Sequence, residues 1–381
     1  AYKHFGVERV WSLGEYSQWA DLCAALATLG VQVRLGHSKV LPSLDAVDLI
    51  FTDYDGIHRL WREHALPPPA KTWVLDTFGT DGTVVEHAFF GRRFPLTEYP
   101  LGRFLTLVPD YSFRNTFLGA AVVAQAPPGE RGGERIQRRW QCLLWSKVHP
   151  WLNTSHGFPS YHKELLQEYS RHCRVVATVD RKDTYGTEAA IRACCPEVEV
   201  RGVESPAGFL RLLKSSAVYL GVGEPLIAPS CFEALGLGTH VIQPRFPEPR
   251  VLKNKPLTQA WTSQHPYLEK VPEPFAFTIH PANRSGIAAA FARIRKNFDA
   301  ALALAAKGET GGQGELAELA RFYERGEHPR REAYSMTGFL DRVRSIVHRT
   351  GPLDPSDWDF ERQHHPGQLP AWVRGGSKGG S

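Results

Sequence analysis

The sequence predicts an α/β protein built from two doubly wound, Rossmann-like domains that face one another across a cleft. Three observations predict this. Short apolar runs alternate with helical patterns along most of the chain, the signature of parallel strands covered on both faces by helices. A Pro/Gly/Arg-rich stretch over 126–138 cuts the pattern into halves, each about the size of one such domain. The 381 residues, 42% hydrophobic and 22% charged, suffice for two full cores and are globular in composition.

In chain order, apolar residues at Trp19, Leu22, Cys23, Leu26 and Leu29 keep helical spacing and predict a helix over 16–29. Strands follow at 31–36 and 48–52, then a short helix near 57–64 and a strand at 72–76. In the second half, strands are expected at 140–145, 174–179, 198–202, 217–221 and 239–243. Helices at 160–171, 184–194, 206–214 and 230–237 separate them. Trp140, Trp145 and Trp151 read as core or sheet surface, with sugar stacking as the alternative. The domains are placed at 1–130 and 136–330. A helix over 334–348, within a returning segment 331–349, carries Met336, Phe339, Leu340, Val343, Ile346 and Val347, an apolar stripe that requires a partner surface across the hinge. Residues 350–381 lack periodicity and read as irregular.

Composition excludes several classes. A net charge of +5 is too mild for a nucleic-acid surface, and the locally basic run from Arg131 to Arg139 reads as linker. No apolar run reaches the roughly 18 residues of a membrane span, so no membrane contact is expected from this segment. There is no GxGxxG, no GxxxxGK[ST] and no GxSxG. Asp53-Tyr54-Asp55 has the spacing of a metal-holding acidic motif, but Gly56 follows a strand end there and a turn is expected. The chain begins at Ala1 almost inside an element, which suggests a piece of a longer protein, and the GGSKGGS end reads as flexible.

The six cysteines form no CxxC pair and no Cys/His cluster at zinc spacing. Cys23, Cys142 and Cys173 fall in apolar patterns, which favours buried free thiols over a disulfide framework. Two acceptor sequons occur, Asn153-Thr154-Ser155 and Asn283-Arg284-Ser285, a weak pointer to a secretory route.

GEYSQWADL, Gly14 to Leu22, is the most informative stretch. It sets Glu15 on a loop or in a first helical turn, where unpaired N–H groups favour a carboxylate. Taken alone, Glu15 reads as a capping or solvated residue. Five further motifs follow in order: LDTFGT (Leu75 to Thr80), NTFLG (Asn115 to Gly119), GVGEPLIAPSCFEALGLG (Gly221 to Gly238), PRFPEP with a later KN (Pro244 to Asn254), and TSQHPY (Thr262 to Tyr267).

Together these motifs resemble the N-acetylglucosaminyltransferase V family over about Gly14 to Tyr267. The resemblance implies the GT-B architecture and an inverting, metal-independent transfer of N-acetylglucosamine from UDP-GlcNAc to a mannose hydroxyl. It implies Golgi or secretory localisation and a glycan or glycoprotein acceptor. It implies no cofactor, UDP-sugar being the donor substrate. Glu15 matches the family's catalytic base. Burial against Trp19 and Tyr16 would raise its pKa toward working pH. Glu233 matches the carboxylate that grips the donor ribose, Lys255 a phosphate-contacting lysine, and Gly223, Pro229 and Ser230 the donor loop, with Ser230 as expected N-cap. Trp19, Asp76, Phe78 and His265 are assigned to the acceptor side or the cleft. No metal ligand is expected.

The chain departs from the family where Ile227 stands for a second donor-side Glu and Leu226 for an aromatic, and where the loop at Asn254 and Lys255 is shorter. These departures leave open a transferase of the same fold with another nucleotide sugar. They also leave open a degenerate domain kept as a glycan-binding or structural module.

Overall fold

A computed structural model describes residues 13–36, 46–77, 79, 85–86, 93–94, 99–107, 115–121, 137–145, 161–179, 186–202, 204–250, 261–329, 331 and 334–348. The first unit contains α1 (Leu13–Thr28), β1 (Ile50–Asp53), α2 (Tyr54–Arg62), β2 (Thr72–Leu75), a short antiparallel pair β3 (Val85–Glu86) and β4 (Arg93–Phe94), β5 (Phe104–Thr106) and β6 (Thr116–Phe117). Strands β1, β2, β5 and β6 form a parallel sheet in that order. All four residues of β2 are buried, as a parallel strand covered on both faces requires. The strand expected at 31–36 is not one. Its alternating apolar residues find no ladder partner among the described residues, and Val33 and Leu35 stand in solvent.

The second unit runs β7 (Arg139–Trp145), α3 (Tyr161–Ser170), β8 (Arg174–Thr178), α4 (Thr187–Cys194), β9 (Glu199–Arg201), α5 (Pro206–Ser215), β10 (Ser216–Gly221), α6 (Ser230–Gly236), β11 (His240–Arg250), β12 (Trp261–Ser263), β13 (Ala276–Ile279), α7 (Arg284–Lys307) and α8 (Glu315–Arg325). The parallel strands lie in the order β9-β8-β7-β10-β11-β13, and β12 pairs antiparallel with the outer half of β11. The strand order reverses between β7 and β10, and doubly wound sheets bind ligands at the strand C-termini beside such a reversal. The predicted fold class is therefore observed.

Two expectations are corrected in this unit. Cys142 on β7 and Cys173 just before β8 form a disulfide across one βαβ crossover, 31 residues apart in sequence. Apolar surroundings suit a free thiol and a disulfide equally, so the pattern alone could not separate them. Arg138, read as part of a linker, is buried. Its guanidinium donates to the Ser216 and Leu237 carbonyls (2.6 Å each) and to Thr239 Oγ1 (2.9 Å), tying the start of β7 to two neighbouring connections.

After α8 the chain returns to the first unit. Helix α9 (Met336–His348) sets Phe339, Val343 and Ile346 against Leu22, Ala25 and Leu26 of α1. Burying each such side chain contributes about 1.5–3 kcal/mol relative to exposure. Arg342 Nε donates to the Leu118 carbonyl at 2.7 Å. Ahead of α9, Tyr334 stacks on Phe232 of α6 at 3.5 Å, meets Phe117 of β6 edge-on, and donates to the Leu107 carbonyl at 3.3 Å. One aromatic residue thus touches both sheets' elements.

Candidate active site

The motifs converge at the C-terminal ends of the two sheets. On the first sheet, α1 carries GEYSQWADL. Gln18 is buried at 2% exposure, accepts from Thr77 Oγ1 (3.1 Å), and reaches the Gly119 carbonyl (3.4 Å) through Nε2. Asp21, on the same helix, accepts the Ala121 N–H at 3.0 Å. The first motif is therefore bonded to Thr77 of LDTFGT, to Gly119 of NTFLG and to the residues just beyond.

Glu15 lies in the first turn of α1, one helical turn ahead of Gln18. The side chains of residues 13–17 are outside the described set, so the expected shielding of Glu15 by Tyr16 is outside it as well. Trp19 is half-buried and donates its indole N–H to Asp53 Oδ2 at 3.2 Å. Asp53 Oδ1 accepts the Gly56 N–H at 2.7 Å and caps α2. Both oxygens of Asp53 are thus engaged in structure, and where a turn is expected at Asp53-Tyr54-Asp55 the chain passes directly from β1 into α2, with Asp53 as the N-cap. Asp76 follows β2 directly and is buried, its N–H on the Leu105 carbonyl. Phe78 lies outside the described residues.

On the second sheet, β10 leads into the segment 222–229 and then α6. Gln264 of TSQHPY holds this segment at three points. Its Oε1 accepts the Gly223 N–H (2.8 Å), its Nε2 donates to the Pro225 carbonyl (3.0 Å), and its own carbonyl accepts the Ile227 N–H (3.2 Å). Gly223 has φ +117°, and a Cβ there would lie 2.6 Å from His162 Nε2, so only glycine fits. Glu224 is ion-paired with Arg250 at the end of β11, while burial holds its carboxyl above the ordinary value. Gln243 locks TSQHPY from below: its Oε1 accepts the His265 N–H (2.8 Å) and its Nε2 donates to the His265 carbonyl (3.0 Å).

His265 is fully buried and edge-on to Phe232. Burial pushes its pKa down to about 3, so the ring is neutral. The cleft role expected of it is replaced by one beneath the loop. Ser230 is also corrected. Pro229 occupies the N-cap position and Ser230 is the first residue of α6, where its hydroxyl accepts from Tyr219 OH at 2.9 Å and caps nothing. Glu233 is half-buried in the first turn of α6. Lys255 lies outside the described residues.

Beyond the Tyr334 contacts, an apolar cluster joins the halves. Leu107 and Ala120 from the first unit cluster with Leu226, Ile227, Phe246 and Trp261 from the second. Ile227, where the resemblance expects a carboxylate, is a buried member of this cluster and adopts φ +45°. An electrostatic influence also passes between them. Burial raises the Asp21 carboxyl to about 7 against the lowering effect of the Ala121 N–H, and the Glu233 charge raises it further. Sequence reasoning named the motifs holding Gln18, Asp21 and Gln264 but passed over these three residues. Amides and a second carboxylate inside such specific motifs were the available signal. No group of three or more potential metal-binding side chains occurs among the described residues.

Two doubly wound sheets facing across this junction, with a C-terminal helix returning to the first, define the GT-B class of glycosyltransferase fold. The sequence profile of glycosyltransferase family 18 matches residues 6–302, and the chain belongs to that family. It is similar to the alpha-1,6-mannosylglycoprotein 6-beta-N-acetylglucosaminyltransferase of Caenorhabditis elegans, 26% identical over 306 residues that cover 70% of this chain and 44% of the relative. The human form A is 27% identical over 315 residues, 72% of this chain and 40% of the relative. The chain spans less than half the length of these relatives. A solved glycosyltransferase involved in avilamycin A biosynthesis superposes with a TM-score of 0.50 over 88% of this chain and 90% of that one. At 14% identity, this likeness bears on the fold alone. No helix among the described residues is long and apolar enough to cross a membrane.

Proposed function

We propose that this chain is the catalytic core of an inverting N-acetylglucosaminyltransferase of the secretory pathway. It moves N-acetylglucosamine from UDP-GlcNAc to a mannose hydroxyl of a glycan or glycoprotein, without a metal or other cofactor. The observation that carries the reading is the Gln18 network, which fixes the first turns of α1 against Thr77 and Gly119. A sugar hydroxyl is a weak nucleophile, and inversion needs one group to take its proton during in-line attack. Glu15, one turn ahead of Gln18, is that group in this reading, carried on a helix whose position three motifs define.

Opposite it, the segment 222–229 held by Gln264 and the start of α6 receive the nucleotide, with Glu233 on the ribose hydroxyls and Lys255 on the diphosphate. Charge on the departing diphosphate is then met by a lysine and by backbone N–H groups.

Calorimetry with UDP in the presence of a chelator tests the reading. Binding in the ~1 μM–1 mM range usual for enzyme substrates is expected. Absence of binding would leave the glycan-binding or structural module as the surviving reading. A second reading, a transferase using a different nucleotide sugar, is favoured by one observation: Ile227 is apolar and buried where a donor-side carboxylate is expected. Stronger displacement of UDP by another UDP-sugar than by UDP-GlcNAc would select it.

A further inference from the structure

We propose that Asn283 is an N-glycosylation site of this chain. The tripeptide Asn283-Arg284-Ser285 is an acceptor sequon, and residues 282–285 are all exposed. The residue sits at the turn between β13 and α7, where the side chain is oriented by two bonds to one atom. Asn283 Oδ1 accepts the Gly286 N–H at 2.9 Å, capping α7, and the Ser285 hydroxyl at 3.0 Å. The oxygen is committed, and the amide nitrogen, the atom that carries a glycan, makes no hydrogen bond among the described residues, so a chain glycosylated before folding keeps this cap once folded.

Gly286 preserves this arrangement, because a side chain there would collide with Asn283 Nδ2. A second, independent observation concerns the compartment. The Cys142–Cys173 disulfide is of the kind that persists in oxidising environments such as the secretory lumen, where sequons are modified. Position also permits the modification. β13 is the end strand of the second sheet, and Asn283 stands at the rim of a cavity of about 630 Å³ lined by Arg245, His280 and Arg293.

The reaction transfers an oligosaccharide from a polyprenyl diphosphate. A bond forms between Asn283 Nδ2 and the anomeric carbon, and the bond from that carbon to the diphosphate oxygen breaks. The polyprenyl diphosphate leaves with the electron pair, and the amide nitrogen gives up one proton.

The test is secretion of the chain behind a cleavable leader from a eukaryotic cell line, in an Asn153→Gln background that removes the other sequon. The product is digested with an amidase that turns each glycan-bearing Asn into Asp in ¹⁸O-water. The Asn283 peptide is expected to carry the label. Ser285→Ala is expected to abolish it, because that change removes the sequon hydroxyl while keeping the Asn283 Oδ1 bond to Gly286 and hence the helix cap. Recovery of an unlabelled, unmodified Asn283 peptide from the secreted chain would overturn the proposal. If the leader-bearing chain is not secreted, translation into microsomes decides, since glycosylation there precedes folding. A Ser285-dependent mass shift is then expected, and its absence overturns the proposal equally.

Discussion

Gln264 Oε1 accepts the backbone N–H of Gly223 across 41 residues of sequence, and this bond seats the segment between β10 and α6 on the TSQHPY motif. The same side chain donates to the Pro225 carbonyl, and the residue's own carbonyl receives the Ile227 N–H. The hexapeptide thereby sets the shape of the proposed nucleotide loop. Gln264→Ala leaves a buried N–H and a carbonyl without partners, at a cost of about 1–3 kcal/mol for each group so stranded. A lower melting temperature and a loss of UDP affinity of at least about tenfold, ~1.4 kcal/mol, are expected together. Gly221→Ala places a Cβ against Gln264 Oε1 and is expected to give the same pair of effects. Normal UDP affinity in both variants would detach the motif from the nucleotide.

Asp21 gives the protein a pH dependence of definite sign. Its carboxyl titrates at about 7 in the folded chain, against 3.8 ordinarily, chiefly through burial, with Glu233 on α6 adding to the rise and the Ala121 N–H opposing it. A group whose folded pKa is raised binds more protons in the folded state than in the unfolded one between those two values, so stability falls as pH rises from about 4 through 7. At about 1.4 kcal/mol per unit, and discounting for partial exposure, the loss is on the order of 2 kcal/mol. Asp21→Asn keeps an oxygen for Ala121 and cannot ionise. Denaturant unfolding at pH 5 and pH 8 is expected to show a smaller difference for this variant than for the parent, with the gain in stability at pH 8. An unchanged difference would remove Asp21 as its source.

Ile227 has traded a charge for a contact between the halves. It packs with Leu107 and Ala120 at 1% exposure, in a backbone conformation that a β-branched residue adopts at a cost. Ile227→Glu, which restores the residue expected from the family resemblance, buries a carboxylate among apolar side chains. It is expected to destabilise the chain by about 2 kcal/mol or more at neutral pH and by less in acid. Thermal unfolding at two pH values measures this. A variant as stable as the parent, with improved use of UDP-GlcNAc, would instead mean that the pocket still accommodates the lost carboxylate.

The doubly wound architecture was legible because fully buried strands such as TWVL and SAVYLG read as unbroken apolar runs, and the helices between them carry a second period. The segment 31–36 misled because VQVRLG alternates as a strand does, while pairing depends on a neighbour that local pattern does not encode. The Cys142–Cys173 bond was missed for a related reason: the crossover that brings the two cysteines together is a property of topology. In the site, the motif glycines and acids stood out as residue types with obvious chemistry. Gln18 and Gln264 did not, because an amide's role depends on what it reaches across 101 or 39 residues of chain.

The sharpest prediction concerns Glu15. Its place in the first turn of α1, one turn ahead of the anchored Gln18, fits a proton acceptor and fits equally a carboxylate favoured by the unpaired N–H groups of a helix start. Glu15→Gln separates the two, because it keeps size and hydrogen-bonding shape and cannot take up a proton. A general base predicts a fall in transfer rate of about 10²–10⁴-fold. UDP affinity is expected to stay the same, since the nucleotide is assigned to the opposite sheet. Melting temperature is expected to move little, because a charge at a helix start contributes at most about 1 kcal/mol. The structural role predicts the reverse, a slightly lower melting temperature with normal turnover. Transfer rate, UDP calorimetry and thermal unfolding on this one variant therefore decide between them, and a near-normal transfer rate would remove Glu15 from the mechanism.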